Sequence, residues 1–338
     1  MNDYINDFTS HLKDALNIGN NTSLDPKFNT IDSVLICGLG GSGIGGTIVN
    51  DIIGENAKVP IVASKDYSIP NFVSKNTLVI VNSYSGNTEE TISACEQAMH
   101  QDATIIVVSS GGILSGMCEL SETMYLISCP GGQPPRSAFG HIFSRQLALM
   151  VEIGILQCEL TDDAMQRLQE AVEDSDIINH PEGDVASLAL NMLEHPIALL
   201  GPDELSPAIN RFKNQLNENA ARFARTGYFP EMNHNESVAW GGVGGDMDPE
   251  SPNQALILLS WDGMHPRVEQ RMDWFVSNCP TEMTWSVHGD GESLLECLIH
   301  LCIMTDWLSI ALALLHGKDP SAIEPILSLK DFLSQINQ

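Results

Sequence analysis

Two loops rich in glycine and hydroxyl residues carry the first chemistry legible in this chain. "GLGGSGIGG" (38–46) and "SYSGNTEET" (83–91) each follow a strand-like apolar run and lead into a helix-compatible segment. Such loops offer unpaired N–H groups and the positive end of a helix dipole to an anion. In the first, Gly40 and Gly41 precede Ser42; in the second, Ser83, Ser85 and Thr88 supply three hydroxyls within six residues. Hydroxyls and amides together hold a monophosphate without a basic patch. This chain has few bases to spend: 16 Lys and Arg stand against 44 Asp and Glu, a formal charge of −28. The plainer alternative for the second loop is that Asn87 or Thr88 merely caps the following helix.

The first loop also matches G-x-G-x-x-G at Gly38, Gly40 and Gly43, with Asp66 lying 23 residues beyond Gly43. That spelling belongs to dinucleotide sites. A dinucleotide site needs no hydroxyl-rich loop after its third strand, however, and Asp66 in "SKDYS" reads equally as loop polarity. A nicotinamide-dependent oxidoreductase is therefore the weaker reading.

Three further residues have side chains suited to proton transfer or charge stabilisation. Arg136 is a permanent cation just after "GGQPP", Glu218 sits in the helical run "RFKNQLNENAARF", and His234 lies between two asparagines sixteen residues after Glu218. Taken singly, Glu218 reads as a solvated helix acid and His234 as a turn residue.

Hydrophobic residues form 43% of the 338 and charged residues 18%, which suits packed cores in about two domains. The acidity disfavours nucleic acid and anionic membrane as partners. The eight cysteines, Cys158 among them, contain no C-x-x-C pair, and the ten histidines no H-x-x-x-H or H-E-x-x-H. Buried free thiols in a reducing compartment and no metal or cofactor are the expectation. "MNDYINDF" lacks the basic and apolar start of a secretory signal, and the apolar run Leu301 to Leu315 is interrupted by Asp306, so a cytoplasmic location is expected.

The elements that must position these residues follow from apolar runs without alternation, the mark of strands covered on both faces. "SVLICG" (33–38), "PIVAS" (60–64), "TLVIVNS" (77–83), "TIIVVSS" (104–110) and "MYLIS" (124–128) read as one parallel sheet with helices between. A helical stretch from 136 to about 194 includes "TDDAMQRLQEAVED", with Thr161 as N-cap. A second series follows: "PIALLG" (196–201), "QALILLS" (254–260) and "MTWSVH" (283–288). "SWDGMHPR" (260–267) loosely echoes "SYSGNTEE", hinting at internal duplication, and "WGGVGGDMDPESPN" (240–253) reads as a surface loop.

"GLGGSGIGG", "SYSGNTEET", "QPPR", "LNEN" and "NHNE", in this order and spacing, resemble the bifunctional phosphoglucose/phosphomannose isomerases. The likeness runs from about residue 30 to "DPSAIEPILSLK". It implies two sugar-isomerase (SIS) α/β sandwich domains, taken as residues 1–155 and 156–338, with parallel sheets flanked by helices. It implies interconversion of glucose 6-phosphate, and mannose 6-phosphate, with fructose 6-phosphate through a cis-enediol. Gly40, Gly41, Ser42, Ser83, Ser85 and Thr88 match the family's phosphate and sugar contacts. By the same resemblance Glu218 is the base between carbons 1 and 2, and Arg136 the cation beside the enediolate. His234 is the ring-opening acid/base, supplied by the neighbouring subunit of a homodimer, and Lys330 a lysine near the ring oxygen. This chain departs from the family in "GGSG" for "GGSA", in the second proline of "QPPR", in lacking a Lys-rich stretch after "NEN", in Ser321 for Thr and in an expanded 241–253 loop. The same loops without the catalytic trio would make a sugar-phosphate sensor, and other sugar-phosphate isomerases share them.

Overall fold

The apolar runs of the first half become strands β1 (Ser33–Gly38), β2 (Ile61–Ser64), β3 (Thr77–Asn82), β4 (Thr104–Ser109) and β5 (Met124–Ser128). They form a wholly parallel sheet in the order β2-β1-β3-β4-β5. Every residue of β1 and β3 is buried, as uninterrupted apolar strands require when helices cover both faces. The computed structural model describes residues 1–18, 30–53, 57–156, 160–279 and 281–336; Cys158 lies outside them.

Two units are formed, each with its own sheet: Asn2–Val172 with Gly291–Ile299, and Glu173–Asp290 with His300–Gln338. The short return segment belongs with the first unit through a bidentate pair, in which Arg167 Nε and Nη2 donate to Glu296 Oε1 and Oε2 at 2.6 and 3.0 Å.

The second sheet contains β6 (Ile197–Pro202), β7 (Ala224–Phe229), β8 (Ala255–Ser260) and β9 (Met283–His288), all parallel, in the order β7-β6-β8-β9. This repeats the order of β1–β4, so Ser83 after β3 and Ser260 at the end of β8 occupy matching strand ends, as the sequence echo suggests. Strand β7 is not expected from sequence. "ARTGYF" is an edge strand, only partly buried, and its Arg225, Thr226 and Gly227 hide the apolar signal.

The helices fall where their apolar spacing predicts. In Glu89–His100 the residues Thr91, Ala94, Cys95 and Ala98 form one buried face. Thr161 caps Asp162–Ser175 by accepting from Ala164 N at 3.1 Å, with Met165, Leu168 and Val172 buried. The last apolar run is longer than expected. It is a 22-residue helix, Leu294–Leu315, apolar and long enough to cross a bilayer, yet 78% of its most apolar window is buried within the protein. Asp306 there is met by Arg211 Nη2 at 2.5 Å and Gln215 Nε2 at 2.8 Å. Burial pushes its carboxyl up, and both partners oppose that shift. The described cysteines are free and all buried save the half-buried Cys118; burial pushes the Cys37, Cys95 and Cys302 thiols up to about 12, so they pack as inert apolar groups.

Candidate functional site

In the first unit the sheet order reverses at β1, which sends the chain to β2 on one side and later to β3 on the other. Open parallel sheets bind ligands outside the carboxyl ends of their strands at such a point. Both hydroxyl loops lie there. Gly40 opens the helix Gly40–Ile53 just beyond β1, and Gly41 and Ser42 fill its first turn. Gly43, the residue that completes the dinucleotide spelling, has a packing reason: a Cβ there would sit 2.3 Å from Gly38 O. Asp66 is exposed and accepts from its neighbour Tyr67 N at 2.7 Å, which is local loop polarity.

The second loop runs from the end of β3 into the helix Glu89–His100. Thr88 occupies the N-cap position, but its side chain caps nothing; instead Ser83 Oγ and Thr88 Oγ1 are hydrogen-bonded at 2.9 Å. Asn87 turns away, and its Oδ1 accepts from Ile113 N at 3.0 Å. The capping alternative fails for both residues, and the N–H groups of that first helical turn have no side-chain cap. Ser85 is half-buried and its Oγ accepts from Asn87 N at 3.3 Å.

The two loops are joined directly. Tyr84 N donates to Ser42 Oγ at 3.2 Å. The Tyr84 hydroxyl donates to Pro130 O at 2.8 Å and accepts from Gln133 N at 3.2 Å, so the same residue reaches the segment that carries Arg136. Burial pushes the Tyr84 phenol up, partly opposed by the Gln133 amide. Arg136 is buried, at 3% exposure, in a turn closed by Ser137 N and Ala138 N on Pro134 O. The turn lies against the first loop: a Cβ on Gly41 would meet Pro135 O at 2.9 Å and Arg136 Cα at 3.0 Å. Segments 40–42, 83–88 and 133–136 thus form one constellation, with Tyr84 at its centre. Nothing in the residue type of Tyr84 marks it in the sequence; its place between Ser83 and Ser85 is the signal that points to it.

The second unit holds the remaining candidates. Glu218 is half-buried in the last turn of the helix Ser206–Asn219 and lines a cleft of about 550 Å³ with Asn217, Asn219, Lys318, Asp319 and Glu324. Neighbouring Asn219 is fixed by donating to Ser309 Oγ at 2.8 Å. Lys330 is exposed on the helix Glu324–Ser334, outside the residues that line this cleft. His234 is exposed at the end of the short 3₁₀ turn Glu231–His234, after β7.

The sheet separates Glu218 from His234. Ala198, Leu200, Leu256 and Leu258 share one core with Met232, Trp240 and Phe275, so the segment flanking His234 covers that face. Gly201, on the opposite face by strand alternation, approaches Ile209 of the helix Ser206–Asn219, a Cβ there lying 3.0 Å from Ile209 Cδ1. Glu218 therefore belongs to one face of the sheet and His234 to the other.

Parallel sheets flanked by helices, with hydroxyl-rich loops at the switch point of the first, define the class of fold, and residues 182–333 match the family model described as the bacterial phospho-glucose isomerase C-terminal SIS domain. The fold is also that of the C-terminal domain of glucosamine-fructose-6-phosphate aminotransferase from Francisella tularensis (TM-score 0.70, 14% identity, 94% of this chain and 96% of that one). Over 338 aligned residues the chain is 31% identical to a bifunctional phosphoglucose/phosphomannose isomerase of Caldicellulosiruptor bescii, covering 96% of each. It is 34% identical over 305 residues to that of Thermoplasma volcanium, covering 90% of this chain and 92% of the relative. The chain belongs to the bifunctional phosphoglucose/phosphomannose isomerase family.

Proposed function

We propose that this chain interconverts glucose 6-phosphate and mannose 6-phosphate with fructose 6-phosphate, as a cytoplasmic homodimer. The observation that carries the reading is the joined constellation of Ser42, Tyr84, Ser83, Thr88 and the buried Arg136 turn. Ser42 Oγ already accepts from Tyr84 N, so its hydrogen is available to a phosphate oxygen. The Ser83–Thr88 pair uses one hydroxyl hydrogen internally and keeps the other for the ligand. Gly40, Gly41 and Ser85 add backbone and hydroxyl donors at the same strand ends. An acidic protein holds a phosphate dianion in this way with neutral dipoles.

The chemistry then assigns the titratable groups. Opening the cyclic sugar moves a proton onto the ring oxygen and takes one from the carbon 1 hydroxyl, a task for an imidazole, His234, with Lys330 near that oxygen. Glu218 takes the proton from carbon 2 and returns it to carbon 1. Negative charge grows on the enediolate oxygens, where the Arg136 guanidinium opposes it. Rotation about the carbon 2–3 bond of the open intermediate presents either face of carbon 2 to Glu218, giving both aldose epimers.

The opposite-face placement of Glu218 and His234 supports a site completed by a second copy of the chain, which supplies His234. Mixing Glu218→Gln with His234→Ala protein after subunit exchange tests this. A two-fold dimer with His234 donated across the interface regenerates one intact site per heterodimer, about a quarter of wild-type activity in an equal mixture. A site built from one chain regenerates none.

A further inference from the structure

Two histidines are stacked in the core beside the turn that carries Arg136. His11, from the helix Phe8–Ile18, and His141, from the helix Phe139–Glu152, place their ring centroids 3.7 Å apart with 32° between the planes. They are 6% and 3% exposed. Arg145, one turn along from His141, is buried as well; its Nη1 donates to His141 O at 3.1 Å and lies 3.5 Å from His141 Nδ1, while its Nε donates to Ser128 O at 2.8 Å. Asp7 and Asp14 act electrostatically on His11. From the preceding turn, Gln133 brings its carboxamide nitrogen to 3.3 Å from His141 Nε2.

These assignments give His141 one donor too many. Gln133 Nε2 and Arg145 Nη1 both point N–H groups at the ring nitrogens, and a neutral imidazole has only one acceptor nitrogen. Gln133 Oε1, meanwhile, is buried with no hydrogen-bond partner among the described residues. Carboxamide oxygen and nitrogen are told apart by their hydrogen bonds. Exchanging them removes the surplus donor from His141 and gives the Gln133 carboxamide oxygen a partner. His141 Nε2–H then donates to Gln133 Oε1, and Arg145 Nη1 donates to His141 Nδ1. The backbone N of the same Gln133 donates to Tyr84 Oη at 3.2 Å, and Tyr84 N donates to Ser42 Oγ at 3.2 Å.

We propose that His141 and Gln133 are positioning residues for the reaction: the Nε2–H tautomer of His141 holds the Gln133 carboxamide, and so fixes the Gln133–Arg136 turn against the hydroxyl loops. The functional readout rests on the isomerase reading given above. A second proton on His141 would aim Nδ1–H at the Arg145 guanidinium and add a cation next to His11. Accordingly His141 is pushed down to about 4, by burial first and then by His11 and Arg145. Burial also lowers His11, against the pull of Asp7 and Asp14 and with the help of Arg145. A histidine that only filled space would need none of this arrangement.

The test uses the full-length protein in two measurements. Long-range ¹H–¹⁵N NMR at neutral pH reads the tautomer of His141, assigned with His141→Phe. Steady-state kinetics with fructose 6-phosphate compare His141→Phe, Gln133→Leu, their double variant and Gln133→Glu, each shown folded by its melting curve. The tautomer should be Nε2–H. Each single variant should lose about tenfold in kcat with KM within about twofold, and the double variant should lose no more than the worse single. Gln133→Glu keeps an acceptor and should retain kcat at neutral pH, while its charge moves the acid limb of the pH profile upward. An Nδ1–H tautomer, folded single variants with wild-type kcat, or losses that multiply in the double variant would overturn the proposal. A wild type without turnover would instead refute the isomerase reading, and the tautomer would still decide the Gln133–His141 contact.

Discussion

Replacing Gly41 by alanine probes the contact on which the constellation depends. The added methyl would stand 2.9 Å from Pro135 O and 3.0 Å from Arg136 Cα. Both obstacles are backbone, in a turn pinned by Ser137 N and Ala138 N on Pro134 O, so no side chain can swing aside. Reaching an ordinary separation of about 3.5 Å requires the first loop and the Arg136 turn to part by roughly 0.6 Å. Overpacking of this kind costs about 1–3 kcal/mol, and for a chain of 338 residues about 2 kcal/mol lowers Tm by roughly 3 °C. Activity should suffer more, because a displacement approaching 1 Å at a charge-stabilising group costs on the order of tenfold to a hundredfold in kcat. Gly116→Ala is the control: nothing lies within 4 Å of its Cβ, so Tm should hold or rise, with activity unchanged. Differential scanning calorimetry and a coupled assay of fructose 6-phosphate conversion read both effects. A Gly41→Ala protein with wild-type Tm and kcat would show that the first loop and the Arg136 turn do not constrain one another.

Thr88→Val removes the hydroxyl that shares a hydrogen with Ser83; the loss should raise KM for fructose 6-phosphate by about 5- to 150-fold, the worth of about 1–3 kcal/mol, and an unchanged KM would remove Thr88 from the phosphate site. The depressed His141 contributes stability that is present above its unfolded value of 6.5 and is lost as pH falls toward about 4. That contribution is worth up to roughly 3 kcal/mol. Melting temperatures of the wild type should therefore fall more steeply from pH 7 to pH 4.5 than those of His141→Phe, and parallel curves would contradict the shift. Asp306→Ala strands the buried Arg211 guanidinium and should cost about 3–5 kcal/mol in urea unfolding, much of it recovered in Arg211→Met/Asp306→Leu; equal losses in the single and paired variants would argue against charge burial as the cause.

The central strands β1, β3 and β6 were legible because they are apolar runs buried on both faces; β1, β5 and β9 begin and end where the sequence puts them. Strand β7 was not, since an edge strand needs less burial and tolerates Arg225 and Gly227. The hydroxyl loops were legible as residue types at strand ends. Tyr84 was not, because its role lies in contacts with Ser42, Pro130 and Gln133, far apart in sequence. The sixteen-residue spacing of Glu218 and His234 likewise hides their separation. The chain between them finishes a helix on one face, runs through β7 and folds back over the other face. Sequence distance carries no face.

The most direct measurement is a proton NMR time course of the purified protein with fructose 6-phosphate in heavy water, run beside Glu218→Gln. Both glucose 6-phosphate and mannose 6-phosphate should appear carrying deuterium at carbon 2, and neither should form with the variant. No aldose product from a wild type that binds the sugar phosphate tightly by calorimetry would contradict the account and leave a sensor of sugar phosphates in its place.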